Sequence, residues 1–153
     1  MPAALTLPPV GTVFPDLELI DEDGGRSQLS ELIDGRSAVV HFMRSSTCPV
    51  CLGHAAVLDK LRASGEIPDI EIVFIAPGGA AEAAEAAGRL RGRRVQVRAS
   101  GDAHTSLGLG RFLAVQHSGT VVLDPTRSVL SAVSAVIPTA SFSRAETIAV
   151  LRA

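Results

Sequence analysis

Residues 38–43, Ala-Val-Val-His-Phe-Met, are nearly all apolar and rich in β-branched side chains. That is the pattern of a strand buried on both faces, as in a parallel sheet. After a short loop comes Cys48-Pro49-Val50-Cys51, which holds both cysteines of the chain, and residues 49–63 then follow a helical period. The period places Val50, His54, Val57, Leu58 and Leu61 on one face. Leu52, Gly53, Ala56, Asp59, Lys60 and Ala63 fall on the other. A strand, a short loop and Cys-X-X-Cys on the first turn of a helix form the arrangement that dithiol redox chemistry needs.

A thiol attacks as its thiolate, and a free cysteine is mostly protonated at neutral pH. A helix N-terminus carries unpaired N–H groups and a partial positive charge, which favour an anion. A cysteine placed there can have its pKa lowered from ~8.5 to about 3.5–7.5. Proline is favoured at the first helical position, so Pro49 makes Cys48 the N-cap and Cys51 the third helical residue. Cys48 is thus expected as the exposed attacking thiolate. Cys51, one turn in, is expected to resolve the mixed disulfide. Two other readings of the pair are a zinc site and two buried structural cysteines. A closed zinc site needs four ligands and usually a second short-spaced pair. His41, His54, His104 and His117 are scattered and supply none, so no metal is expected.

The chain has 153 residues, which fits one domain with a proper core over 1–153. A net charge of −2 gives no sign of a nucleic-acid partner, and without Trp or Tyr aromatic stacking on bases is not expected. Residues 1–10 lack the basic and apolar regions of a leader, and no apolar run approaches the ~20 residues of a membrane span. The expected location is cytoplasmic, where a Cys-X-X-Cys pair is more often catalytic than structural.

In chain order, residues 1–13 are expected to lie extended on the surface. Residues 17–20 and 26–29 read as a hairpin around Asp21-Glu22-Asp23-Gly24-Gly25. Residues 30–33 make at most a short helix. Strands are expected at 70–76, 95–98, 120–123 and 127–136, the last two joined by Asp124-Pro125-Thr126. Helices are expected at 80–90, at 102–107 and at 143–151, the last with Ser143 and Glu146 as a capping box. Arg89, Arg91, Arg93, Arg94 and Arg98 cluster about one strand. They read as a solvated edge or, more sharply, as a dock for an anionic, glutathione-like thiol. The order is α/β with a mixed sheet: crossovers make the early strands parallel and the late hairpin adds an antiparallel edge.

This order with Cys-Pro-X-Cys resembles the thioredoxin fold, a three-layer α/β/α sandwich with a mixed central sheet and, here, an N-terminal β-hairpin. Within it the chain is similar to the redoxin branch, the alkyl hydroperoxide reductase/thiol-specific antioxidant (peroxiredoxin-like) proteins. The resemblance rests on Val10-Gly11-Thr12-Val13-Phe14-Pro15, the Asp-X-Asp-Gly turn, Val-Val-X-Phe-X-Arg before Cys-Pro-Val-Cys, and Thr120-Val121-Val122-Leu123-Asp124. Peroxide-reducing members carry Pro-X-X-X-Thr-X-X-Cys and a distant arginine. Here His41 stands at the proline position, Ser45 at the threonine position and Ser118 at the arginine position. The cis-proline of thioredoxins near that last point is missing too. Thioredoxins also carry an acidic residue in the strand before the motif, which moves protons to and from the buried cysteine. The resemblance implies His41 for that place, as a base acting on Cys51; the bland reading is a core histidine bonded to backbone. Arg44 is a candidate to stabilise the thiolate, and Thr47 and Pro49 complete the supporting set.

The expected function is therefore thiol–disulfide exchange through Cys48 and Cys51 with no cofactor. The alternatives are a thiol-dependent peroxidase, with Cys48 oxidised to a sulfenic acid that Cys51 condenses with, and a redox-sensing interaction module. Expected partners are a disulfide-bearing protein or a small thiol or peroxide substrate, and an electron-donating thiol system.

Overall fold

The computed structural model describes residues 7–101, 104, 111–112, 115–116, 118–135 and 140–152. Its centre is strand β3 (Ala38–Phe42), every residue of which is buried. It lies parallel to β4 (Glu71–Ala76) with Val40 opposite Val73, and antiparallel to β8 (Ser118–Leu123) with His41 opposite Thr120. Outside β4 runs the parallel β5 (Gln96–Ala99), and outside β8 the antiparallel β9 (Val129–Ala135). An N-terminal hairpin, β1 (Glu18–Ile20) and β2 (Arg26–Gln28), completes a seven-stranded sheet of order β2-β1-β5-β4-β3-β8-β9. A short pair, β6 (Arg111–Phe112) and β7 (Val115–Gln116), stands apart and has no counterpart in the sequence pattern.

The chain steps from β3 to β4 to β5 in one direction across the sheet. Right-handed crossovers therefore put both connecting helices, α2 (Pro49–Ala63) and α3 (Ala80–Arg89), on the same face. The closing helix α4 (Arg144–Arg152) joins them, packing Ile148, Val150 and Leu151 against the core that holds Leu58, Phe74 and Val122. The other face is covered by the short α1 (Leu29–Ile33) and the N-terminal segment, through Leu7, Phe14, Leu29 and Ile33. The result is the three-layer arrangement read from the sequence.

Three expectations change. Residues 7–13 do not simply lie on the surface: Leu7 is buried, Val13 bridges to Ser128, and a side chain at Gly119 would come within 2.8 Å of Leu7. The stripe that α2 buries is Cys51, Ala55, Leu58 and Leu61, with Val50, His54 and Val57 at its margins. The small Ala55 and the cysteine weigh little in a hydrophobic pattern, so the stripe centre is turned from the expected one. The β8–β9 loop is longer than a three-residue turn, because Arg127 takes φ 65° and Asp124 Oδ1 accepts from the Thr126 and Ser128 N–H groups. The helix expected over 102–107 lies almost wholly outside the described residues. At α4, the Ser143 hydroxyl accepts from the Glu146 N–H at 3.2 Å, as the capping pattern predicts.

Candidate dithiol site

The C-terminal end of β3 leads into the loop 43–48, and several bonds fix that loop. The Met43 N–H donates to the Ile75 carbonyl of β4, and the Cys48 N–H donates to the Ser45 carbonyl. The Ser46 hydroxyl donates to Glu85 on α3 at 2.6 Å. Pro49 then opens α2, and Cys48 is its N-cap. The Cys48 sulfur accepts from the Cys51 N–H at 3.2 Å, the usual task of a capping oxygen. Both cysteines are free thiols, Cys48 5% and Cys51 0% exposed. The expected exposed thiolate is therefore almost covered. Ser46 of the same loop is buried with it.

The two thiols are made unequal by each other. Cys48 is lowered from its ordinary 9.0 to about 6, chiefly by a hydrogen bond from the Cys51 thiol. Burial opposes this fall, while the Cys51 and Val50 N–H groups and the charge of Arg44 add to it. Cys51 moves strongly the other way, because the same hydrogen bond holds its proton and burial disfavours its anion. The pair can thus hold one thiolate at the helix terminus and one thiol behind it, the poised state of a dithiol nucleophile.

On the sheet face that α2 covers, β3 and β8 present His41 and Thr120 side by side. His41 is fully buried, and its Nδ1 lies 2.7 Å from the Thr120 hydroxyl. The hydroxyl gives its single proton to the Ser141 carbonyl at 2.7 Å, so it must accept from Nδ1–H. Burial, helped by repulsion from His54 and His104, holds the His41 pKa well below 6.5. A neutral ring protonated at Nδ1 carries a bare lone pair on Nε2. That buried Nε2 has no hydrogen-bond partner among the described residues. The ring meets His54 edge-on at 5.3 Å and Phe74 at 5.0 Å, and His54 follows Cys51 by one turn of α2.

Other singled-out residues fall in place around this centre. Arg44 is exposed, Ser45 and Thr47 are half-buried, and Pro49 is exposed. Ser118 opens β8 on the same face as Thr120; it is buried, and its hydroxyl has no partner among the described residues. The His104 Nε2 bonds the Met43 carbonyl at 3.0 Å, and its ring lies edge-on against Phe42. His117 lies outside the described residues. The arginine cluster is not at this site, because β5 is separated from β3 by β4. Sequence reasoning missed Thr120, Ser141 and the Ser46–Glu85 bond. Thr120 could have been found as a hydroxyl leading an otherwise apolar run, residues 120–123; nothing local marks the other three.

Among the described residues, no group of three or more His, Cys, Asp or Glu side chains could hold a metal ion. No helix among them is long and apolar enough to cross a membrane.

Comparison with solved structures gives extensive likeness at low identity. Peroxidoxin BcpB from Mycobacterium tuberculosis is 23% identical, with TM-score 0.70 over 94% of this chain and 96% of that one. Reduced Prx3 from Vibrio vulnificus, in complex with hydrogen peroxide, is 18% identical with TM-score 0.72 over 95% and 99%. A candidate protein disulfide isomerase from Bacteroides thetaiotaomicron is 16% identical with TM-score 0.65 over 96% and 88%. Comparison with curated protein sequences gives no significant match. The redoxin family model matches residues 9–151, nearly the whole chain. With its thioredoxin-like sheet and its dithiol at the head of α2, the chain belongs to the redoxin family of thiol-based oxidoreductases.

Proposed function

We propose that the protein exchanges its dithiol with disulfide substrates, Cys48 attacking and Cys51 resolving. The observation that carries this reading is the polarised pair itself: a Cys48 sulfur capped by the Cys51 N–H and favoured as thiolate by the Cys51 thiol. The Cys48 thiolate attacks one sulfur of the substrate disulfide. A Cys48–substrate bond forms and the other substrate sulfur leaves as thiolate. Cys51 then gives up its proton and attacks the Cys48 sulfur, releasing the second substrate thiolate. Two electrons pass to the substrate and the protein is left with a Cys48–Cys51 disulfide.

His41 takes the Cys51 proton in this scheme. Its Nδ1 proton is engaged with Thr120, and Nε2 is the unprotonated, unpartnered base on the sheet face that α2 covers. Arg44 contributes charge at the loop, and Ser45, Thr47 and Pro49 shape the approach to Cys48. The partners of this chemistry are a disulfide-bearing protein or small thiol, and a thiol system that re-reduces the pair. The setting that suits it is a reducing, cytoplasmic one.

One observation favours a second reading, a thiol-dependent peroxidase. Cys48 is only 5% exposed, which a peroxide reaches more readily than a protein disulfide does. Ser118 weighs the other way, because it supplies no cation where peroxide-reducing relatives place one. Pre-reduced protein assayed side by side with hydrogen peroxide and with a model disulfide separates the two. Faster loss of thiols with the disulfide supports exchange; faster loss with peroxide overturns it in favour of the peroxidase.

A further inference from the structure

The outer side of β5 is only partly covered. Ile20 of β1 pairs with Ala99 alone, whereas on the inner side Gln96, Val97 and Arg98 pair with Val73, Phe74 and Ile75. Where the hairpin leaves β5 uncovered, a cavity of about 380 Å³ opens between β5, the end of α3 and the β1–β2 turn. Arg91, Arg93 and Arg98 line it, with Glu22 the single carboxylate and Leu90 and Val97 as apolar floor.

Five other arginines of the chain are paired with acids. Arg26, Arg36, Arg62, Arg94 and Arg144 each have a carboxylate within 4 Å. For Arg91, Arg93 and Arg98 no carboxylate stands at that distance among the described residues. Arg98 donates through one nitrogen to the Val97 carbonyl at 2.8 Å, while its buried Nε has no partner. Three guanidinium groups against one carboxylate leave a net positive, partly walled cavity, and guanidinium is the side chain best shaped to hold carboxylate or phosphate. The bond from Arg98 also occupies a β5 carbonyl, which disfavours the addition of another strand along this edge.

We propose that this cavity binds a small organic polyanion, one bearing two or more carboxylate or phosphate groups on a short apolar body. The site is distinct from the dithiol, lying on the far side of β4 from β3. A ligand held there is not the molecule that Cys48 attacks. The proposal does not depend on the reading of the cysteines.

Calorimetric titration of the full chain, with both thiols alkylated, tests it with citrate, pyrophosphate and a poly-glutamate peptide as probes at two salt concentrations. The expected result is one saturable site per chain for citrate or pyrophosphate. Whichever of the two binds tighter tells carboxylate from phosphate ligands. The double variant Arg91→Ala/Arg93→Ala should weaken binding about tenfold or more, and Glu22→Gln should tighten it. Arg152→Ala, an exposed arginine on α4, should leave it unchanged. Three results overturn the proposal: no saturable binding, equal loss in Arg152→Ala, or binding of the peptide tighter than of either small anion. The last identifies the edge as a dock for acidic protein segments.

Discussion

The two faces of the β3–β8 pair are built from adjacent residues and behave as different materials. On one face Ala38, Val40 and Phe42 stand beside Leu123, Val121 and Gly119. That face is closed by Phe14, Leu29 and Ile33 in an apolar cluster, with the His104 ring edge-on against Phe42 at its end. On the other, Val39, His41 and Met43 alternate with them, next to Val122, Thr120 and Ser118. Here the buried set includes an imidazole, two hydroxyls and two thiols. The period of two along a strand makes this separation possible within one element. One face supplies burial that holds the sheet; the other accepts the cost of buried polar groups and gains groups with usable protons and lone pairs. Substitutions on the two faces should therefore move different observables.

The largest effect is expected at the head of the chemical face. Cys48→Ser should abolish turnover with a disulfide substrate, and Cys51→Ser should keep the first attack and accumulate the mixed disulfide. Mass spectrometry of the intact protein after one equivalent of substrate reads both. Full turnover by the Cys51 variant without an added thiol would show that Cys51 is not the resolving group. Wild-type protein after mild oxidation should have lost both thiols as a monomer, since Cys48–Cys51 is the only intramolecular disulfide the chain can form.

On the apolar face, Leu29→Ala should cost about 2–5 kcal/mol of stability by denaturant unfolding, the range for a buried leucine truncated with partial collapse of the cavity. The folded fraction should keep the Cys48 pKa of the parent. A change in that pKa by a full unit would break the division between the faces, because Leu29 lies across the sheet from the dithiol.

That division was half legible beforehand. Strand β3 over 38–42, the Cys48 cap and α2 from Pro49 to Ala63 follow from β-branched content, a proline at the first helical position and a helical period. Those signals are local, and local signals survive without the fold. The position of Cys51 at the centre of the buried stripe was not legible, because its burial is decided by how α2 rolls on the sheet. Nor was the hydrogen bond from His41 to Thr120, 79 residues apart, since it exists only through the strand register. The bond that ties the loop to α3, Ser46 to Glu85, joins residues 39 apart, and no short-range pattern encodes it either.

His41 sharpens the comparison in two measurements. As the base for Cys51, its replacement by Asn should slow resolution about 10²-fold or more, the usual contribution of a positioned base. The first attack by Cys48 should be little affected. The second measurement is stability against pH. The folded pKa of His41 is depressed below 6.5 while the unfolded chain titrates near 6.5, so below that pH the unfolded state binds the extra proton. Stability is then full above about pH 6.5 and falls as pH drops, by at most about 1.4 kcal/mol per unit for one such group. In His41→Asn this part of the slope should vanish. An unchanged slope would mean that His41 titrates normally and is not the bare base inferred from its bond to Thr120.

The smallest effect is expected at Arg44, and it decides what activates Cys48. The fall from 9.0 to about 6 exceeds what a helix terminus supplies. That contribution is roughly 0.3–1 kcal/mol when exposed and up to ~2 when partly buried, at about 1.4 kcal/mol per pKa unit. A further donor is needed. The Cys51 thiol is the leading cause and Arg44, an exposed side chain, the last. An exposed charge is screened by water and salt, so Arg44→Ala should raise the Cys48 pKa by less than about one unit, the scale of an exposed ion pair. Cys51→Ala, which deletes the donating thiol, should raise it by more. The pH dependence of alkylation at Cys48 in the two variants gives the comparison directly. If Arg44→Ala produces the larger rise, the loop charge and not the second cysteine is what makes Cys48 a nucleophile, and the two thiols are less tightly coupled than their hydrogen bond indicates.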